Sequence, residues 1–524
     1  MPRPSLQSEK SSDNYLHRIT AEARRVKASH PECIIMTLGE PEYPPPNYII
    51  GALTDSLKRE LDPDRVVPIV LGACNTLDHG CSISPNLLTN SPLTNKEGVF
   101  NRVRPLVQAV IKEYEEEVGC GALVDWRADM FARRIVDGLS SLVSPQVVDS
   151  ICFGLEKELS KNMLAMTRYM PVAGLPQLRE AYSSYLERLS GVRYNPETEI
   201  LITDGGKEAL ALAAYVACDP GNPVYTPLPY WSGYNGMEIL SRTKLRGIEG
   251  GEASFEANLE SKVKGELLAR EFLLSPRRYK TAKRLASLLG TSARDPPGSL
   301  GCLLINSPNN PSGKMIEHPE TILAFAKKYE MMIISDDVYH SFVFDGQKNP
   351  FLNSLPGAKD SVLVVNSVSK SFSMTGFRVG CLAGPQEYIQ AATNAHSGIV
   401  TCLPGFVQMA AKRALESSPE ELEWVAKRVN EYQRRRDIMH EGLGPQYGKS
   451  VRPQGTFFYW LDVSAFSFNA EAFAKQLLEE ELVAVAPGNA FGDSTHVRLS
   501  LTVPGDDVRR AVERLNRFAT KYCR

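Results

Sequence analysis

The sequence predicts an α/β fold: a large domain with a mostly parallel sheet covered by helices on both faces, plus a smaller α+β domain from the N-terminal segment and the C-terminal third. Three observations carry this. From about Asn195 onward, short apolar runs alternate with longer helical patterns, the order of a chain that passes from strand to helix to strand. The runs are apolar at nearly every position, as strands buried on both faces are. Each run then stops at a polar cluster. In open α/β sheets that is where ligands bind, beyond the carboxyl ends of the strands.

Taken in order, "EILIT" (199–203) precedes the helical "DGGKEALALAAYVAC", and "NPVYTPL" (222–228) follows. "GCLLIN" (301–306) runs into "SPNNPSG", "EMMIIS" (330–335) into "DDVYHSF", and "SVLVVN" (361–366) into "SVSKSFSMTGFRVG". The last third changes character. "PEELEWVAKRVNEYQRRRDIMHEGL" is a charged amphipathic helix, and "GTFFYWLDV", "LVAVAPGNAFG" and "HVRLSLTV" read as short strands of the smaller unit. "DDVRRAVERLNRFATKY" closes the chain as a helix.

Two stretches break the alternation. Residues 46–142 are helix-rich around the polar "CSISPNLLTNSPLTNKEG", and residues 253–299 hold two helical patterns before "ARDPPGS". Turn-forming residues bound both, so both read as insertions. The expected division is an N-terminal segment 1–45 joining the small domain, the insertion 46–142, a large domain 143–395 and a small domain 396–524.

A chain of 524 residues exceeds one simple core. Its net charge of −2 creates no global field for nucleic acid or an anionic membrane, so neither partner is expected. The N-terminus has no signal-peptide core, no run reaches the ~18 apolar residues of a span, and a cytoplasmic setting is expected. Ten cysteines without framework spacing fit reduced thiols there.

The polar clusters hold complementary chemistry. Lys370 follows a buried strand among serines, with Arg378 eight residues on. Lysine is almost never buried without a partner. Gly205 and Gly206 sit between a strand and a helix, where free amides bind phosphate; a plain tight turn has the same pattern. Arg378 can grip a phosphate with its planar fork, and Ser367 adds a hydroxyl. Asp336 ends a strand, and a buried carboxylate needs a partner such as a protonated ring nitrogen. Asn310 offers a donor and an acceptor. Trp231 offers a flat face for stacking, or is plain core. Together these describe a pyridoxal phosphate site.

At these residues the chain resembles the fold-type I aminotransferases, the aspartate aminotransferase superfamily (class I/II aminotransferases). The resemblance rests on the joint order of "LGEPE", "YMPVAGLPQLRE", "TDGGKEAL", "PLPYW", "NSPNNPSG", "SDDVY", "SVSKSFSMTGFRVG" and "VRLS". It covers about residues 19–43 and 142 to the C-terminus, apart from the second insertion. It implies that Lys370 is the Schiff-base lysine and afterwards the proton shuttle. Asp336 would keep the ring nitrogen protonated, and Asn310 and Tyr339 would bond the ring hydroxyl. Gly205, Gly206, the Lys207 main chain, Ser367 and Arg378 would cradle the phosphate, with Trp231 stacked on the ring. Tyr169 would reach the phosphate of a neighbouring subunit, implying a homodimer with shared sites. Arg498, helped by the Gly39 backbone, Trp231 and Asn310, would bind the substrate and its α-carboxylate. The implied reaction moves an amino group from an L-amino acid to a 2-oxo acid.

The insertions depart from the family pattern. "LGEPE" and "YMPVAG" are separated by about 125 residues, where relatives have about one helix. The extra segment either reshapes the pocket or subunit contacts, or decorates the periphery. Inside it, Cys74, His79 and Cys81 lack a common zinc spacing and a fourth ligand, so no metal is expected. Lys207 either faces a distal carboxylate, favouring aspartate or glutamate, or is a solvated helix-start lysine. His340 reads as structural. A second reaction class shares the same core motifs: β- or γ-elimination, replacement or cyclisation on a bulky amino acid such as S-adenosylmethionine. The 1-aminocyclopropane-1-carboxylate synthases are superfamily relatives and share "GFRVG". A non-catalytic pyridoxal-binding regulator would carry a DNA-binding module in front, and no basic helix-turn-helix pattern is seen.

Overall fold

The structure is a computed structural model that describes residues 15–37, 39–43, 45, 46, 49, 169–250, 252–273, 300–416 and 419–523. The chain divides into two compact units. One comprises Met1–Ile49, Pro171–Leu403 and Ala411–Arg524; the other comprises Ile50–Met170 and Pro404–Ala410. The insertion 46–142, with Cys74, His79 and Cys81, lies outside the described residues apart from Pro46 and Ile49. So do residues 274–299 of the second insertion, whose first part belongs to one long helix.

In the first unit the chain opens with α1 (Tyr15–Ser29) and β1 (Ile34–Ile35), then α2 (Pro176–Ser190). A seven-stranded sheet follows from β2 (Ile200–Asp204), β3 (Pro223–Pro227), β4 (Lys244–Ile248), β5 (Cys302–Asn306), β6 (Met332–Asp336), β7 (Val362–Ser367) and β8 (Val379–Ala383), in spatial order 2-8-7-6-5-3-4. All pairs are parallel except those of β8, which runs antiparallel to β2 and β7. α3 (Gly205–Ala217), α4 (Glu252–Leu273), α5 (Pro319–Lys328), α6 (Val368–Ser371) and α7 (Gln386–Ile399) connect or flank the strands.

Burial explains why these strands lack polar alternation. Leu201, Leu304, Ile334, Leu363, Val365 and Leu382 pack with Ala209, Leu210, Leu212 and Ala213 of α3. Successive side chains point to opposite faces of a strand, yet the intervening Ile202, Leu303, Ile305, Ile333, Val364 and Cys381 are equally buried. Both faces are therefore covered, and the mostly parallel α/β architecture is the one expected.

Two strands of this sheet escaped the sequence reading. β4 alternates exposed Lys244 and Arg246 with buried Leu245 and Ile248, the pattern of an edge strand beside charged residues. β8, "VGCLA", follows the lysine turn so closely that it reads as part of the motif.

The C-terminal part holds α8 (Pro419–Gly442), β9 (Phe458–Asp462), α9 (Ala470–Glu481), β10 (Val483–Ala484), β11 (Ala486–Pro487), β12 (His496–Ser500) and α10 (Gly505–Tyr522). β11, β12 and β9 form an antiparallel sheet, and β10 pairs in parallel with β1, Ile34 opposite Val483. α10 buries Val508, Ala511, Val512, Leu515, Phe518 and Ala519. That is a one-sided stripe at helical spacing, and it seals a core with Val497, Leu499 and Leu461.

Candidate active site

The carboxyl ends of β2, β5, β6 and β7 open onto one cavity of about 640 Å³. Its lining includes Gly39, Gly206, Lys207, Trp231, Asn310, Asp336, Tyr339, Ser367, Lys370, Arg378 and Arg498. Residues far apart in sequence meet there because parallel strands end on the same edge.

Lys370 lies in the single turn α6, which starts where β7 stops. Ser367 caps that turn, its hydroxyl accepting the Ser369 amide at 3.1 Å. The Lys370 Nζ donates to the Gly39 carbonyl at 2.6 Å. Burial draws its pKa down to about 8; Glu40 opposes this, while Arg498 and Arg378 add to it. A substantial fraction of the amine is therefore unprotonated near neutral to mildly alkaline pH.

Asp336 is buried at the end of β6. One oxygen accepts the Tyr234 hydroxyl at 2.6 Å, and the other, Oδ1, is buried with no hydrogen-bond partner. Burial raises its pKa to about 6, against the Tyr234 hydrogen bond. An orphaned buried carboxylate oxygen at a cavity wall fits a cationic N–H on a ligand. Tyr339 is buried beside it, and burial lifts its phenol above the ordinary range.

Arg498, on β12, is only 3% exposed. It donates to the Asn310 side-chain oxygen and to the Thr37 carbonyl, each at 2.9 Å. Its Nε is buried without a partner, and its guanidinium lies 4.1 Å from the Phe458 ring centroid. Burial lowers its pKa to about 10, still cationic at neutral pH. Such a desolvated fork suits a carboxylate.

The anion-binding end is built where α3 begins. Gly206 and Lys207 line the cavity, whereas Gly205 does not. Gly205 sits behind at φ +69°, and a Cβ there would come 2.4 Å from the Arg378 guanidinium. A glycine here lets Arg378 approach the start of the helix. Arg378 donates to the Asp204 carbonyl at 3.2 Å and pairs with the Asp204 carboxylate at 3.3 Å. Trp231 lines the cavity with its ring edge-on to Tyr234 at 5.4 Å. Tyr169 is 85% exposed and belongs to the other unit.

His340 is buried away from the cavity lining. Its Nε2 meets the Tyr185 hydroxyl at 2.8 Å, and its Nδ1 lies 2.6 Å from the Asp337 carbonyl. Burial lowers its pKa to about 4, so it stays neutral. Among the described residues no cluster of His, Cys, Asp or Glu is placed to hold a metal ion.

Sequence reasoning missed Ser369, Glu40, Asn306 and the α1 residues Leu16, Thr20 and Arg24, all on the cavity wall. Ser369 had a signal, its position next to the lysine. Arg24 had none, since α1 comes to the cavity only through the tertiary fold.

A partly buried amine, an unpartnered buried carboxylate oxygen, a helix start flanked by an arginine and a second buried arginine fit pyridoxal phosphate with an amino acid. The fold and site define a pyridoxal phosphate enzyme. Comparison with known proteins then gives the family: the model for "Aminotransferase class I and II" matches residues 155–266 and 275–515, and the chain belongs to that family.

Relatives are similar over most of their length. The aspartate/prephenate aminotransferase of Thermus thermophilus is 33% identical over 368 residues, 69% of this chain and 86% of the relative. Aromatic-amino-acid aminotransferase 2 of Thermococcus litoralis is 30% identical over 372 residues, 69% of this chain and 87% of the relative. The structure of the Pyrococcus horikoshii aromatic aminotransferase superposes with a TM-score of 0.57 at 29% identity, covering 70% of this chain and 91% of that one. The chain is thus a pyridoxal phosphate-dependent transferase that moves an amino group from an amino acid to a 2-oxo acid. These names do not favour the elimination, replacement or cyclisation reading.

Proposed function

We propose that the chain is an aminotransferase whose amino donor is a dicarboxylic amino acid, with Lys370 as its reactive amine. The observation that carries the assignment is the pairing, in one cavity, of the partly buried Lys370 amine with the unpartnered Oδ1 of Asp336. When bound, the cofactor supplies an electron sink that stabilises charge at the substrate Cα.

The residues then take the following parts. Asp336 Oδ1 would accept the ring N–H, and Trp231 would cover one ring face. Asn310 and Tyr339 would bond the ring hydroxyl. The Gly206 and Lys207 amides, Ser367, Ser369 and Arg378 would hold the phosphate. Arg498 binds the α-carboxylate, with Gly39 and Asn310 beside it. Lys370 moves the proton at Cα, and its depressed pKa suits a base working near neutral pH.

The dicarboxylic preference rests on charge. Arg378 and Arg498 are each matched to one anionic group, which leaves Lys207 and Arg24 on the wall as surplus cations. Names of two relatives include aspartate as a substrate. We further read the enzyme as a homodimer with shared sites, Tyr169 reaching a neighbour's phosphate; its 85% exposure supports this. Residues 143–395 are taken as the cofactor domain and 396–524, with 1–45, as the small domain. Among the described residues, the free thiols of Cys33, Cys218, Cys302, Cys381 and Cys523 support a cytoplasmic location. No helix among the described residues is long and apolar enough to cross a membrane.

The test is a single half-reaction. Cofactor-loaded enzyme is mixed with aspartate, glutamate, phenylalanine or S-adenosylmethionine in the absence of any oxo acid. Stoichiometric oxo acid from aspartate or glutamate is expected. Multiple turnovers without added oxo acid would replace the proposal with elimination or cyclisation.

A further inference from the structure

Thr37 and Gly39–Tyr43 make contacts at two separate places. At the cavity end, the Thr37 carbonyl accepts from Arg498 at 2.9 Å and the Gly39 carbonyl accepts from Lys370 at 2.6 Å. The Glu40 carboxylate accepts the Thr375 hydroxyl, and the Thr375 carbonyl in turn accepts from Arg378 at 3.1 Å. One short segment therefore touches, directly or through Thr375, three of the cavity's cations, Lys370, Arg378 and Arg498.

At the other end the segment is tied to α8. Arg435 is only 4% exposed. Its guanidinium donates to Glu42, to Glu431 at 2.8 Å, to the Leu501 carbonyl at 3.0 Å and to the Tyr43 hydroxyl at 2.6 Å. Tyr432, also on α8, donates to the second Glu42 oxygen at 2.8 Å. Arg428 stacks over the Tyr43 ring at 3.8 Å. Five donors in a fixed plane allow a single arginine to join these groups, which a lysine cannot do.

We infer that Glu42, held by Arg435 and Tyr432, is a positioning residue that sets where the Thr37 carbonyl lies, and through it the aim of Arg498. It does not line the cavity. Arg498 grips the carboxylate in ground and transition states alike, so its misplacement raises KM more than it lowers kcat.

The test uses Glu42→Gln and Tyr432→Phe in the full, cofactor-loaded enzyme. Arg435 is left in place because Glu431 still pairs with it in both variants, so the fold keeps its buried charge compensated. Tyr432→Phe removes only a hydroxyl and serves if Glu42→Gln folds poorly. Two readouts are taken: amide hydrogen exchange of the peptide spanning Met36 to Tyr43, and KM against kcat for aspartate with 2-oxoglutarate.

Faster exchange confined to that peptide is expected, with KM raised about tenfold, the factor one hydrogen bond to a charged group is worth, and kcat little changed. The double variant should be no worse than Glu42→Gln, since both remove the same anchor. Unchanged exchange in 36–43, exchange raised across the whole protein, or an unchanged KM would each overturn the inference. Failure of the proposed function looks different: the parent enzyme itself would not turn over aspartate, while the exchange readout would still report on the anchor.

Discussion

Lys370 is an amine that burial holds below its ordinary pKa of 10.5, at about 8. Its chemistry depends on the unprotonated form, so uptake of the cofactor aldehyde by cofactor-free enzyme should accelerate as pH rises and level off above about 8. Stopped-flow absorbance on adding pyridoxal phosphate measures this. In Lys370→Ala, borohydride treatment should leave no cofactor on the 362–378 peptide; a labelled lysine elsewhere would displace the assignment. Asp336 carries the opposite sign. Its folded pKa, about 6, lies above the ordinary 3.8. Its stability contribution is therefore complete below about 3.8 and lost as pH rises through about 6. Asp336→Asn removes the buried charge and keeps an acceptor for Tyr234. Without cofactor, the variant's melting temperature should gain on the parent's between these two pH values and stay ahead above them. With cofactor, the parent should regain the advantage, because the ring nitrogen supplies the missing partner.

At the scale of elements, the cradle depends on how closely β8 approaches the start of α3. A Cβ on Gly380 would fall 2.5 Å from the Gly205 carbonyl carbon and 2.7 Å from the Gly206 nitrogen. Gly380→Ala should cost about 1–3 kcal/mol, as overpacking does, and weaken cofactor affinity by moving the Gly206 amide. Gly376→Ala, in the turn just before β8, meets nothing within 4 Å and is the control. Thermal unfolding and cofactor titration of both variants measure the difference. How much of this was readable beforehand follows the same division. Lys370, Asp336, Asn310 and Arg498 were legible because each directly follows or sits in an apolar run whose burial is local information. β4 was not, since its Lys244 and Arg246 mask a strand that only its neighbour β3 makes stable. The part Gly205 plays in admitting Arg378 was not legible, because a glycine needed for positive φ and one needed for contact look alike in sequence. The Glu42–Arg435 anchor joins residues 393 positions apart, a distance over which no periodicity carries information.

At the scale of the whole molecule, shared sites make a prediction that a monomer could not satisfy. In a dimer each site would take Lys370 from one subunit and Tyr169 from the other. Lys370→Ala and Tyr169→Ala enzymes, each impaired, should recover activity when unfolded and refolded together. A hybrid dimer then holds one site with both lesions and one with none. Activity of the mixture equal to the average of the two variants would argue for independent sites. The one antiparallel strand of the seven-stranded sheet also has a consequence for how the molecule comes into being. Because β8 runs backwards, Val379 lies opposite Asp204, and Arg378 reaches a carbonyl 174 residues earlier in the chain. Closing so long a loop is slow compared with local helix formation. The phosphate cradle therefore does not exist in early collapsed states, and the cofactor cannot nucleate them. It can only capture a chain whose central sheet is already complete, pulling the last equilibrium toward the native side by mass action. Nascent chains must accordingly reach the finished sheet unaided, and cofactor supply governs how long they stay there.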